Sequence, residues 1–317
     1  MKSIGGYFSL ELNRGELYHP NAIALNTGRN CLEYIMRCRG CQKIYIPYYT
    51  CEVILEPFQK LGVAYEYYHV DKQLEIAGQI ALKDDEALLY TNYFGLKQRY
   101  VEQLAKQYGK HLIVDNTQAF YAKPVDGIDS FYTCRKFFGV PDGAYLYSDA
   151  KADFKIEQDV SYDWMTFLLK RLDLGAESGY ADFHELSKHL VGQPIMWMSN
   201  LTMQMMQGID YQTVAQKRYD NYQFLHESLA TTNQLQLPLD SDAVPMVYPY
   251  LTDDKNLKQL LISEKVFVST YWPNVMAWCK PVDWEHGLAE RTVFIPIDQR
   301  YGKEEMKRIT EMIGRKR

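Results

Sequence analysis

No run of apolar residues in this 317-residue chain approaches the roughly 18 needed to cross a bilayer. The N-terminal MKSIGGYFSLEL lacks the apolar core of a secretory signal, so the cytoplasm is the expected location. Neither sign of charge dominates. Thirty-five Lys and Arg against 40 Asp and Glu leave a net charge of −5, which gives no electrostatic basis for binding nucleic acid or an anionic membrane. Cysteine is scarce, at six residues, and Cys38-x-x-Cys41 has neither a second CxxC nor a nearby histidine pair. A structural zinc site needs four ligands at set spacing, so no metal is expected and the cysteines read as reduced thiols. Internal repeats, low-complexity tracts and disordered linkers are missing too. What is present, 47% hydrophobic and 24% charged residues, is the composition of a globular chain long enough for about two domains.

The pattern along the chain alternates strand and helix. Residues 22–25 lead into Asn26-Thr27-Gly28-Arg29-Asn30, after which Cys31, Leu32, Ile35 and Met36 recur at helical spacing until Gly40. A small polar loop opening a helix is an anion site, because free backbone N–H groups and the helix dipole face the ligand. An ordinary N-capped helix is the plain alternative. Strands are expected at 43–46, 64–70 and 86–91, with helices at about 50–61 and 97–108 closed by Gly62 and Gly109. Such alternation predicts a mainly parallel α/β sheet, with ligands at the carboxyl ends of its strands. Asn92 falls at one such end.

The stretch 111–147 carries the chemistry. An apolar run ends in the carboxylate Asp115, and Gln118 follows. A second run, 128–132, leads into Thr133-Cys134-Arg135-Lys136, and Pro141-Asp142-Gly143 turns into a third strand at 144–147. A carboxylate at the end of a buried strand and a lysine on a strand-to-turn junction suit pyridoxal phosphate (PLP). The amine holds the cofactor aldehyde, and the acid keeps the pyridine nitrogen protonated so that the ring is an electron sink. Arg135, beside the lysine, would lower its pKa by like charge or reach the phosphate, and a plain solvent-facing side chain is the alternative.

Asp115-x-x-Gln118, Lys136 and the Gly143 turn resemble the core of the fold-type-I PLP enzymes, and most of all the DegT/StrS sugar aminotransferase group. That resemblance implies a seven-stranded-type sheet in a large PLP-binding domain, 1–215, and a smaller α+β domain, 216–317. It implies amino transfer from a donor such as glutamate to a keto sugar, with or without a linked nucleotide, in a homodimer. Lys136 and Asp115 are then catalytic. Gln118 would hydrogen-bond the ring hydroxyl. Thr133, Thr27, Gly28 and Arg29 would bind phosphate, and Asn92 lies in the polar-aromatic-Gly loop. Cys51 stands where the family has a stacking aromatic, so Tyr49 or Tyr48 would take over. The Gly-rich 5–8 segment, Tyr271-Trp272-Pro273 and 296–301 resemble family segments that face the cleft.

The family's Asn-Tyr-Arg segment, which reaches the neighbouring subunit's phosphate, is replaced by Met196-Trp197-Met198-Ser199-Asn200. The apolar 195–206 stretch is the expected dimer surface. One long helix is expected over about 200–229, strands at 244–250, 266–270 and 292–295, and helices at 257–264 and 304–313. Two other readings remain. One is a different PLP reaction, dehydratase or lyase, although dehydratases of this family carry histidine in place of the lysine. The other is a degenerate member that binds a sugar nucleotide or a partner without catalysis.

Overall fold

The computed structural model describes residues 4–314. Eleven strands are present among them: β1 (Ile23–Leu25), β2 (Lys43–Pro47), β3 (Ala64–Tyr68), β4 (Glu86–Thr91), β5 (Leu112–Asp115), β6 (Asp129–Thr133), β7 (Ala144–Tyr147), β8 (Glu157–Gln158), β9 (Met196–Trp197), β10 (Val247–Leu251) and β11 (Thr292–Pro296). The first nine form one sheet in the order β3-β2-β4-β5-β6-β7-β1-β9-β8. From β3 to β6 every pairing is parallel. Strand β7 is antiparallel to both neighbours, so β1 again runs with the main set. The expected seven-stranded core is present, extended at one edge by the two-residue strands β9 and β8, which the sequence pattern does not reveal.

The parallel strands are buried on both faces. All six residues of β4 and all four of β5 are buried, as continuous apolar runs in a parallel sheet require. One face packs on α1 (Gly28–Arg39) and α2 (Leu55–Leu61), through Cys31, Leu32, Ile35, Met36 and Phe58. The other face packs on α3 (Gln98–Tyr108), through Val101 and Leu104. Gly40 and Gly62 end α1 and α2 in the left-handed region, at φ 63° and 66°, where a side chain would be strained.

Further along lie α4 (Thr166–Leu174), α5 (Tyr180–His189), α6 (Asn200–Gln207) and α7 (Tyr211–Leu229). The single helix expected over 200–229 is two. The chain breaks at Gly208 and restarts where Asp210 caps α7 by accepting from Thr213 N–H. The apolar 195–206 stretch is largely used inside the chain, since Ile195, Met198 and Met206 are buried. In the C-terminal part, β10 and β11 pair antiparallel as a two-stranded ribbon. Residues 266–270 do not form the expected strand. Only an isolated bridge, Ser269 to Phe294, joins them to β11. Helices α8 (Leu257–Ser263), α9 (Val275–Trp278), α10 (Trp284–Arg291) and α11 (Lys303–Gly314) complete this part. Helix α7 crosses the expected boundary at 215/216, and the apolar cluster on the α3 face continues without a break into the ribbon.

Candidate active site

Because β1, β2, β5 and β6 run in the same direction, their carboxyl ends share one edge of the sheet. A cleft of about 700 Å³ opens there. Its lining includes Thr27, Gly28 and Arg29 after β1, and Thr50 to Ile54 after β2. It includes Asp115 and Thr117 at the end of β5, and Thr133, Arg135 and Lys136 at the end of β6. Such a volume suits a cofactor together with a small substrate.

Lys136 and Asp115 approach each other through Thr117. The Lys136 amine donates to Thr117 Oγ1 at 2.9 Å, and the Thr117 N–H donates to Asp115 Oδ1 at 2.8 Å. Asp115 is buried, and loss of hydration raises its pKa against the opposing pull of Lys136 and the Thr117 hydrogen bonds. The Lys136 side chain is exposed to the cleft. Its pKa is lowered, first by lost hydration, with Asp115 and Cys51 opposing and the like charge of Arg135 adding a small push in the same direction. An amine of lowered pKa is neutral, and so nucleophilic, over a wider range of pH.

The turn that carries the lysine is held from below. Both Phe137 and Phe138 N–H groups donate to the Cys134 carbonyl, and Cys134 N–H donates to Gly143 O. Gly143 sits at φ 106°, and a Cβ there would meet Thr202 Cγ2 at 2.9 Å. Asp142, next to it, is buried and accepts from Ser199 N–H and Oγ at 2.8 Å and from the Thr202 hydroxyl, pinning the turn to the start of α6.

The cleft end formed by α1 and β6 is electropositive. Thr27 caps α1, accepting from Asn30 N–H at 3.2 Å, which directs the free N–H groups of the first turn outward. Arg29 is committed to Glu56 at 2.6 Å. Arg135 has no ion-pair partner among the described residues, and burial pushes its pKa down to about 10, with Arg29 adding to the fall and Asp142 opposing it. An anion is the natural complement to an unpaired guanidinium beside a helix N-terminus.

Of the residues expected from sequence, Lys136, Asp115, Thr133, Thr27, Gly28, Arg29 and Cys51 line the cleft together; Gln118, Asn92 and Tyr49 do not. Gln118 accepts from Phe94 N–H at 3.1 Å and so fixes the turn after β4, where Phe94 sits at φ 59°. Asn92 serves the same turn, bonding Asn116, Gln98 and Lys97 N–H. Tyr49 lies fully buried behind the cleft, its ring 4.7 Å edge-on to Trp272. Trp272 does reach the lining, with Tyr271 beside it, from a left-handed backbone at φ 59° that costs on the order of 1 kcal/mol. The 271–273 turn therefore faces the cleft as expected. The 296–301 segment does not; it borders a separate depression with Lys265 and Phe267. The Gly-rich 5–8 segment is fully exposed and off the lining. Sequence reasoning missed Thr117, and it missed Phe183, His184 and Ser187 on α5 with Leu190 just after it, which cover the cleft.

Solved structures match across nearly the whole chain. DesV of S. venezuelae, in complex with a ketimine intermediate, matches at a TM-score of 0.64 and 15% identity, over 92% of this chain and 83% of its own. A DegT DnrJ EryC1 StrS aminotransferase from Brucella abortus matches at 0.61 and 14%, over 92% and 85%. The chain has the fold of the type-I PLP-dependent sugar aminotransferases. The E. coli GDP-4-keto-6-deoxy-D-mannose-3-dehydratase with bound hydrated PLP has this type-I fold too, at 0.61 and 14%, over 92% and 87%. No protein-family model matches the sequence, and no curated protein sequence does.

Proposed function

We propose that this chain is a PLP-dependent aminotransferase of the DegT/StrS type. It moves an amino group from an amino acid such as glutamate to a keto sugar, with or without a linked nucleotide. The observation that carries the reading is the convergence, at the carboxyl edge of a type-I sheet, of the Lys136 amine and the buried Asp115 carboxylate on either side of Thr117. The residues fit the cofactor on three counts. The amine has a lowered pKa, the carboxylate is buried, and the unpaired Arg135 flanks the capped start of α1.

Bound at this site, PLP would supply an electron sink for negative charge developing on a substrate carbon. The protein's own groups supply the rest. Lys136 holds the cofactor, and the same amine then carries a proton at the substrate carbon. Asp115 would pair with the ring nitrogen, and Arg135, Thr133 and the 27–30 loop would hold the phosphate. Trp272 and Cys51 bound the ring space. A lysine at position 136 favours amino transfer over dehydration.

Pairing of two chains is part of the proposal. It is supported by apolar side chains that the single chain leaves exposed: Ile4, Tyr7 and Phe8 on the N-terminal arm, and Leu172 and Leu174 on α4. These would add to the 195–206 stretch, where Trp197 is exposed, as surface for such a dimer, and a sedimentation mass of one chain with PLP bound would remove this part of the reading.

With PLP added, the purified protein is expected to show a visible absorption band, and borohydride is expected to fix the cofactor on the peptide containing Lys136. Adding L-glutamate should then convert the unreduced enzyme to the amine form of the cofactor. A mass spectrum with no adduct on that peptide would overturn the cofactor assignment. An adduct without conversion by any amino acid would mark a site that binds PLP but does not transfer amino groups.

A further inference from the structure

Arg218, on α7, is 1% exposed and has no carboxylate within ion-pair distance among the described residues. A buried guanidinium whose hydrogen-bond acceptors are all neutral carries a desolvation cost, offset here only in part by the longer-range attraction of Asp298. Its acceptors show what that cost maintains. Nε donates to Gln299 Oε1 at 3.1 Å, Nη1 to the Met246 carbonyl at 3.0 Å and more weakly to that of Pro245, and Nη2 to the Phe137 carbonyl at 3.4 Å. Its planar face lies 4.5 Å over the Phe137 ring. Gln299 donates to the same Phe137 carbonyl at 2.9 Å. Two side chains from the C-terminal part therefore grip one carbonyl, and that carbonyl belongs to the residue directly after Lys136. Asn221, one turn along α7, holds the other side of the Gln299 loop by donating to Ile297 O and Tyr301 O.

We propose that Arg218 and Gln299 are positioning residues for Lys136: by clamping the Phe137 carbonyl they fix the aim of the amine and tie it to the placement of the C-terminal part. This rests on the reading of Lys136 as the PLP lysine. Asp115, Cys51 and Arg135 set the charge around the amine, and Thr117 accepts from it. The clamp touches none of these and acts through the backbone. Released from it, the 134–138 turn relaxes, the amine gains hydration, and it ionises more like an ordinary lysine.

Replacing Arg218 risks misfolding, so the test is made at Gln299, which is only partly buried. Gln299→Met removes the donor to Phe137 without adding charge. Gln299→Glu satisfies Arg218 as an ion pair, but its carboxylate cannot donate to the carbonyl. In the protein without cofactor, trinitrobenzenesulfonate labelling of Lys136 is followed against pH by peptide mass spectrometry. In parallel, kcat and KM are measured with PLP. Both variants are expected to move the labelling midpoint upward by at least about half a pH unit and to lower kcat about tenfold with KM for the acceptor little changed. A midpoint that moves only in Gln299→Glu would be a charge effect and would overturn the proposal. So would lost thermal stability with the midpoint and kcat unchanged, since the clamp would then be purely structural. The labelling needs no cofactor, so it still reads the clamp if the protein proves not to bind PLP.

Discussion

Lys136→Ala is expected to abolish covalent attachment of PLP and to lower turnover by at least about a thousandfold, about 4 kcal/mol in barrier. The loss has two sources. The nucleophile that holds the cofactor is removed, and so is the amine that donates to Thr117 and would move a proton at the substrate carbon. Folding should survive. The side chain faces the cleft and not the core, and the Thr117 hydroxyl left behind can bond water. Reversible binding of PLP should persist through Arg135, Thr133 and the N-terminus of α1, which the substitution leaves in place. The checks are equilibrium dialysis with PLP, borohydride reduction followed by peptide mass spectrometry, and single-turnover rates with glutamate. Turnover within tenfold of the wild type, or a borohydride adduct on another lysine, would show that the 133–136 stretch has been assigned the wrong role.

The parts of the site that sequence reveals are those for which the chemistry restricts both residue type and position. A carboxylate at the end of a fully apolar strand has few structural excuses, so Asp115 stands out, and Lys136 stands out as the amine at the next parallel strand's end. The turn glycines are legible for a similar reason, since only a residue without Cβ fits Gly143 against Thr202 and Cys134. Residues that reach the site through tertiary packing leave no such trace. The cleft-facing side of α5 looks like any amphipathic surface helix until its approach to β6 is known. Thr117 is one of two unremarkable residues inside Asp115-x-x-Gln118, and only the sheet geometry decides that it, and not Gln118, lies between acid and amine. Residues 266–270 alternate buried and exposed as a strand would, but pairing with a neighbour is non-local, and here it stops at one bridge. Tyr49 misleads because proximity in sequence to Cys51 does not put its ring in the same space. Buried aromatic packing holds it behind the cleft, and Trp272, more than 200 positions away and itself buried, borders the lining instead.

Asp115→Asn distinguishes a carboxylate that faces the cofactor ring from one that only packs at the strand end. Asparagine is nearly isosteric, and its carbonyl oxygen can still accept the Thr117 N–H that Asp115 Oδ1 accepts now. Stability should therefore hold or rise slightly, since a buried group whose charged form is penalised by lost hydration becomes neutral. Two functional consequences follow, and they can be measured separately. The first needs no cofactor. Asp115 is the main influence holding the Lys136 pKa up against burial, so its loss should move the pH midpoint of Lys136 labelling further down, leaving more neutral amine at neutral pH. Attachment of PLP should thus survive. The second consequence opposes the first in its effect on activity. Without a negative charge at position 115, the pyridine nitrogen of a bound cofactor loses its protonated form, and negative charge developing on the substrate carbon is less well stabilised. The half-reaction with glutamate is expected to slow at least about a hundredfold, roughly 2.7 kcal/mol in barrier, even though the amine is more nucleophilic. A variant that attaches PLP, shows the shifted labelling midpoint and still reacts within a few-fold of the wild type would mean that Asp115 tunes the lysine but does not face the ring. The ring would then have to lie elsewhere in the cleft, with another group at its nitrogen.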